Sequence, residues 1–440
     1  MKKYPKYKPS GIEWIGEIPF HWDRLRIKSL VSTKVTDGPH ETPEWKLEGI
    51  PFISAEAIKG NQIDLNYKRG YISDEQHQEY CKKSKVEKGD ILFCKSGSTT
   101  GKSAMVETNA DFGIWSPLAI IRADNKKINN KYLFQFIQSS LFRIQVETAW
   151  TFGTQPNIGM SSLENLWIAI PSIQEQIQIA KYLDYKTKQI EILIAYKQKL
   201  IALLQEERVA VIIHAITKGV NHNAKLKPSG VNWIGLIPEH WEIKKLKYVS
   251  TITRGAILRP VDEPSYFDVN GEWTYLNISD ATVCDKYLSD GKLKLSELGS
   301  TKSARVEPNN LIITASATIG KPFINKIPVC IHDGFIPITN LKVDLDFLYY
   351  YFKNPQLFNG LGKSNTQKNI YLEDVKNLEI PIPPINEQKA ISKFIESEQF
   401  RLNKLLSTIE QELELMNEYK IALISEVVTG KVDVRGEVIK

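Results

Sequence analysis

Two stretches of this chain, residues 170–220 and 382–432, carry one kind of segment twice, and a chain so duplicated can fold in few ways. In the second stretch Ile395, Leu402, Ile409, Met416 and Leu423 fall at seven-residue intervals, with Leu405, Leu406 and Leu413 widening the apolar stripe. That spacing predicts a coiled-coil seam. Subtracting 212 from each number gives Leu183, Ile190, Lys197, Leu204 and Val211, the same seam with one lysine in it. Pro171 and Pro383-Pro384 stop whatever precedes each helix, and Gly219 and Gly430 stand where a glycine closes one. A helix of about 40 residues spans roughly 60 Å. With a single apolar stripe it needs a partner, and the simplest is its own copy. Lysine, glutamate and glutamine break every apolar run before about 18 residues, so neither helix is expected to cross a membrane.

A second repeat stands at the front of each half: KPSGIEWIGEIPFHW at residues 8–22 and KPSGVNWIGLIPEHW at 227–241, identical at eleven of fifteen positions. Its prolines and glycines fix an irregular extended path. Trp14, Trp22, Trp233 and Trp241 supply apolar anchors, so the segment reads as a strap packed on a helix. His21 and His240 invite a catalytic reading. No cysteine, serine or carboxylate repeats beside them in a fitting pattern, and structural histidines are expected.

Between straps and helices, residues 30–165 and 249–377 diverge while mixing short strand-like runs with turn clusters, the pattern of α+β domains. Echoes persist: Val86–Phe93 against Val306–Ile313, SGSTTGK ending at Lys102 against ASATIGK ending at Lys321, and Thr154–Ile158 against Thr366–Ile370. The last of these either touches a ligand or caps the local backbone. Cys81, Cys94, Cys284 and Cys330 lack metal-ligand spacing, three of them lie in apolar, strand-like surroundings, and they read as reduced core residues. The formal charge of +6 is only a small push toward a polyanion. No apolar run follows the basic N-terminus, which predicts no signal segment and a cytoplasmic location.

Three enzymatic readings fail on their motifs. Adenine methylation calls for an N-P-P-F/Y box, and Asn354-Pro355-Gln356-Leu357 lacks the second proline and the aromatic. Gly97–Ser103 mimics a nucleotide-binding loop but has three residues where four are needed, and its counterpart ends Gly320-Lys321-Pro322 without a hydroxyl. No aspartate occurs between Asp184 and Glu242-Ile243-Lys244 to complete a nuclease site.

The duplicated strap, the I-P-x-x-x-E-Q start of each long helix, the threonine–glycine exit and the variable segments between them closely resemble specificity subunits of type I restriction-modification systems, over essentially the whole chain. The resemblance implies an α+β fold: two mixed α/β target-recognition domains separated by a pair of long antiparallel coiled-coil helices, with an internal pseudo-twofold repeat. The expected divisions are 1–168 (strap and first target-recognition domain), 169–220 (central helix), 221–380 (second strap and domain) and 381–440 (C-terminal helix). It implies a non-catalytic subunit that binds double-stranded DNA, each domain reading one half of a split, non-palindromic site while the helices set the gap. The implied partners are two methyltransferase subunits and restriction/translocase subunits. S-adenosylmethionine, ATP and Mg belong on those partners, and no cofactor or metal on this chain. A scaffold joining two proteins without reading DNA is the competing expectation.

Base reading needs loops carrying amides, hydroxyls and basic groups. In the first half the candidates are Thr36, Asp37, Gly38 and His40, in a turn that resembles a family loop facing DNA, and Lys95, Ser96, Ser98, Thr99 and Lys102. In the second they are Arg254, Arg259, Ser316, Thr318, Lys321, Lys363, Ser364 and Asn365.

Overall fold

A computed structural model describes residues 2–152, 155–260, 263–316, 319–358 and 370–438. The chain divides into two compact units, residues 1–197 with 410–440, and residues 198–409. The long helices, Ile173–Lys218 and Ile385–Val428, each contribute to both.

Within the first unit the two helices run antiparallel: Glu191 pairs with Lys420, and Lys197, further along, pairs with Glu412. In the second unit Glu207 meets Arg401 in the same sense. Leu183, Ile190, Leu204, Ile395, Leu402, Ile409 and Leu423 are buried, as a seam requires. Met416 and Val211 are only half-buried, and the residue after Val211, Ile212, takes the buried place. The cause is geometric: an ideal helix drifts about 20° per heptad, so a strict seven-residue count slips off the contact line. Leu406 and Leu413 are half-buried, whereas Leu405 is exposed and lies off the stripe.

The strap explains why its residues recur. In the first unit Tyr7–Pro9 and Glu17–Pro19 form an antiparallel hairpin, and Trp22 behind it is fully buried. Glu175, at the start of the central helix, accepts from Trp22 Nε1 (3.2 Å) and Tyr4 Oη (2.6 Å) and meets His21 Nε2 (3.0 Å). Gln176 accepts from the Asn129 N–H (2.7 Å) and donates to the Pro171 carbonyl (2.9 Å). The second unit repeats this: His240 and Trp241 meet Glu387, while Gln388 bonds the Asp344 N–H and the Pro383 carbonyl. Each histidine is thus tied to a repeated carboxylate that lies more than 140 positions along the chain.

The helix exits close on the same spot. Gly430 has φ +71°, and a Cβ there would lie 2.4 Å from Pro19 of the first strap; Gly219, φ +73°, would bring one within 3.2 Å of Trp241. Each unit thus has strap, helix start and helix end meeting at one junction.

Each variable segment is built on two main sheets, and the first also carries two short hairpins, Ile58–Lys59 with Gln62–Ile63 and Thr151–Phe152 with Pro156–Asn157. In the first unit Ser103–Met105, Ile91–Cys94, Leu118–Ile121 and Thr36–Asp37 form an antiparallel sheet in that order, and Ile50–Ile53 lies between Gly113–Ile114 (parallel) and Gly70–Ile72 (antiparallel). In the second, Pro322–Asn325, Leu311–Thr314, Phe335–Thr339 and Thr251–Ile252 repeat the order, with Tyr287–Leu288 added at the edge. Trp273–Leu276 again lies between a parallel and an antiparallel neighbour. Both units are α+β on one plan. Continuous apolar runs such as Ile91–Cys94 and Leu311–Thr314 are buried along their whole length, as central strands covered on both faces must be.

All four cysteines are free. Cys94 and Cys330 lie in buried strands, but Cys284 follows a short helix, Ile278–Val283, and does not sit in a strand-like setting. Among the described residues no helix is long and apolar enough to cross a membrane.

Candidate nucleic-acid interface

The structure brings the first unit's two candidate loops together. Gly38 N–H donates to the Leu118 carbonyl, Ser116 N–H to Pro39, and Lys95 N–H to Pro117, so residues 38–39 and 95 are bonded to one connecting segment. Gly38 must be glycine, because a Cβ there would lie 2.2 Å from the Ile114 carbonyl oxygen. The 95–102 turn is tied in turn to residues 155–158: Gly97 N–H and Thr100 Oγ1 donate to the Pro156 carbonyl and Ile158 N–H to Lys95. In the echo around Gln155–Ile158, backbone groups are thus what these bonds use, with Thr154 outside the described residues.

At the centre lies Asp37, its side chain 8% exposed. Lys83 Nζ donates to Oδ1 at 2.7 Å, while Lys95 Nζ and His40 Nε2 meet Oδ2 at 3.2 and 2.9 Å. Burial alone would raise the Asp37 pKa, but the hydrogen bonds and charges of Lys83 and Lys95 outweigh it and hold the carboxyl below its ordinary range. Lys95 is buried against that carboxylate, so it is not a free hand for DNA. Lys83 and His40 are more than half exposed, and Ser98 and Lys102 also face solvent. Ser96 makes an isolated bridge with Asn157, Thr99 Oγ1 lies 3.1 Å from Cys94 Sγ, and Thr36 is half-buried in its strand.

In the second unit the sheet register identifies equivalent positions. Cys94 pairs with Leu118 as Thr314 pairs with Phe335, and the glycine N–H that reaches the latter strand comes from Gly38 in one unit and Gly255 in the other. A Cβ on Gly255 would lie 1.9 Å from the His332 carbonyl oxygen, the same close approach. Arg254 therefore stands where Asp37 does, and Ala315, whose N–H donates to Gly334, stands where Lys95 does. Arg254 is exposed, with Nε 3.5 Å from the Asp333 carbonyl. Arg259 is exposed, Ser316 half-buried, and Lys321 Nζ is committed to the Thr282 carbonyl at 2.7 Å. Thr318, Lys363, Ser364 and Asn365 lie outside the described residues.

Lys83 was not among the residues picked from the sequence. It comes from the helix Asp74–Ser84, and its only signal is the basic run Lys82-Lys83-Ser84-Lys85. The nucleotide-loop mimic is a hairpin turn between the antiparallel strands Ile91–Cys94 and Ser103–Met105, without the helix whose N-terminus such a loop feeds.

Comparison with known proteins gives one answer. Residues 19–202 and 238–415 each match the family described as type I restriction modification DNA specificity domain. The protein named "Putative type I restriction enzyme MjaX specificity subunit" from Methanocaldococcus jannaschii is 28% identical over 96% of this chain and 96% of its own. The type I restriction enzyme EcoBI specificity subunit of Escherichia coli is 22% identical, covering 94% of this chain and 88% of its own. Among solved structures, the HsdS subunit from Thermoanaerobacter tengcongensis shares the fold at TM-score 0.59 and 16% identity, over 94% of this chain and 98% of that one. A chain from work on assembly and conformational transition of the type I R-M system does so at TM-score 0.69 and 17% identity, over 94% and 99%.

Proposed function

Because the chain belongs to the type I restriction-modification DNA specificity family, with two copies of its domain, we propose that it chooses where such a complex acts, each unit reading one half of a split DNA site. The observation that carries this reading is the turn built twice on one backbone plan and dressed differently. Cys94 N–H bonds Lys102 and Ile158 N–H bonds Lys95 in one unit; Thr314 N–H bonds Lys321 and Ile370 N–H bonds Ala315 in the other. A constant frame with unlike side chains is what two readers of different half-sites need.

The chain acts here as a non-catalytic subunit that delivers methyltransferase and restriction/translocase subunits in the cytoplasm. S-adenosylmethionine, ATP and Mg are held by those partners. Docking of two methyltransferase subunits is supported by apolar side chains left exposed along the long helices in each unit: Leu193, Tyr196 and Leu415 in the first, Leu200, Leu203 and Phe400 in the second. Methylation-sensitive long-read sequencing of host DNA tests the reading. It should report a split motif with unlike halves that disappears when this chain is deleted. Methylation that persists without the chain would leave only the scaffold reading.

A further inference from the structure

The geometry points to Asp37 as a positioning residue that gathers the lysines of two elements, Lys83 and Lys95, to make a phosphate contact in the first unit, where the second unit makes the matching contact with Arg254 alone. This inference rests on the DNA-reading function above and adds to it which groups meet the backbone.

A buried acid at the centre of the candidate DNA-reading turn needs a reason, since a lone carboxylate facing DNA would repel phosphate. Asp37 is not alone. Lys83 from the end of the helix Asp74–Ser84, Lys95 from the end of the strand Ile91–Cys94 and His40 from its own turn all converge on its two oxygens. One buried carboxylate and two lysines sum to a net charge of +1, before His40 is counted. Lys95 is spent inside as the counterion, and Lys83, 58% exposed, presents the surplus charge at the surface.

The second unit supplies the comparison. At the position matched by sheet register it replaces Asp37 with exposed Arg254, and it replaces Lys95 with Ala315, so no buried lysine is left without a counterion. Beside the strand-exit glycine the cation is now Arg254 itself, its Nε 3.5 Å from the Asp333 carbonyl. A purely structural salt bridge gives no reason for a guanidinium to stand at the same point in the other unit; a phosphate facing that point in each half-site does.

The test uses the assembled complex with its methyltransferase subunits and a duplex carrying the site that this complex methylates. Binding is measured against salt, since the slope of log K on log salt counts phosphate contacts at about 0.9 each for duplex DNA. Lys83→Gln should make the slope shallower by about 0.9 and weaken matched and mismatched duplexes alike. Arg254→Gln should do the same in the other half, and the double variant should lose about 1.8. Asp37→Asn supplies a test of sign. Removing a negative charge from a DNA-facing surface tightens binding on charge alone, whereas losing the group that holds Lys83 loosens it and makes the slope shallower. Tighter binding by Asp37→Asn, or an unchanged slope in Lys83→Gln, overturns the inference. Should Asp37→Asn prevent assembly, Lys83→Gln decides by itself, because Lys95 and His40 still meet the Asp37 carboxylate when Lys83 is shortened. If the unsubstituted complex shows no sequence-dependent binding at all, it is the DNA-reading function that fails.

Discussion

Glu175 and Glu387 occupy the same place in the two units but are not equally loaded. Glu175 is 6% exposed and serves Tyr4, His21 and Trp22; Glu387 is 23% exposed and, among the described residues, serves His240 and Trp241. Burial, and then the bond to Glu175, push the Tyr4 hydroxyl far above its ordinary pKa, so it stays a donor throughout the accessible range. Glu175→Ala leaves buried donors without an acceptor and should cost about 3 kcal/mol, while Glu387→Ala, with water at hand, should cost about 1 kcal/mol. Denaturant midpoints of the two variants check the order. A second residue gives a pH dependence. Burial pushes the His332 pKa below its ordinary 6.5, against the opposing pull of Asp333, and its Nδ1 accepts from the Gly334 N–H at 2.9 Å, which requires that nitrogen unprotonated. A depressed histidine contributes stability in full above the unfolded value and loses it as pH falls through the folded one. The melting temperature of wild type relative to His332→Gln should therefore fall between pH 7 and 5, and a constant difference would refute the assignment. In the strap, the sequence displayed the histidines and tryptophans as one repeat and the glutamates of the helix starts as another but hid that the two meet, because hydrogen-bond partners far apart along the chain leave no local pattern.

At the scale of elements, the long helices were legible and their register only partly so. Seven-residue spacing found Leu183, Ile190, Leu204, Ile395, Leu402, Ile409 and Leu423, all buried, but overran at Met416 and Val211, where the stripe had drifted, and Leu405, expected to widen the stripe, is exposed. Lys197 looked like an interruption; its ammonium reaches Glu412 across the helix pair, which a one-helix pattern cannot reveal. The turns were legible as turns, since glycine at Gly38 and Gly101 marks them, but the work of their side chains was not. Lys95 reads as a surface cation and is a buried counterion, while Lys83 sits on a helix 46 residues from the acid it serves. If the helices act as a ruler, their length sets the unread gap between half-sites, expected at roughly 6 base pairs for half-sites centred one helical turn apart. Four residues inserted after Lys197 add about 6 Å of helix, nearly 2 base pairs at 3.4 Å each. Methylome sequencing of that variant should show both half-sites kept and the gap longer by one or two; an altered half-site with the old gap would show that the helices are not the ruler.

For the whole molecule, duplication is the feature from which the rest follows. Each unit carries its own strap, carboxylate, glycine exit and pair of sheets, so a partner that docks on the constant parts has two places to dock. The assembly should contain two methyltransferase subunits per copy of this chain, and a one-to-one mass at saturation would argue against it. Because the two units carry unlike groups at matched points, Asp37 with Lys95 against Arg254 with Ala315, the recognised site should lack inverted symmetry. What the chain could not show in its letters is the base preference, which depends on side-chain placement at the ångström scale, where frameworks this similar diverge. The central claim is that each unit reads its own half-site independently. The direct measurement is to exchange residues 30–165 for the corresponding stretch of a relative and sequence the methylated DNA. One half of the motif should change while the other half and the gap persist; a motif unchanged, or changed in both halves, would contradict the account.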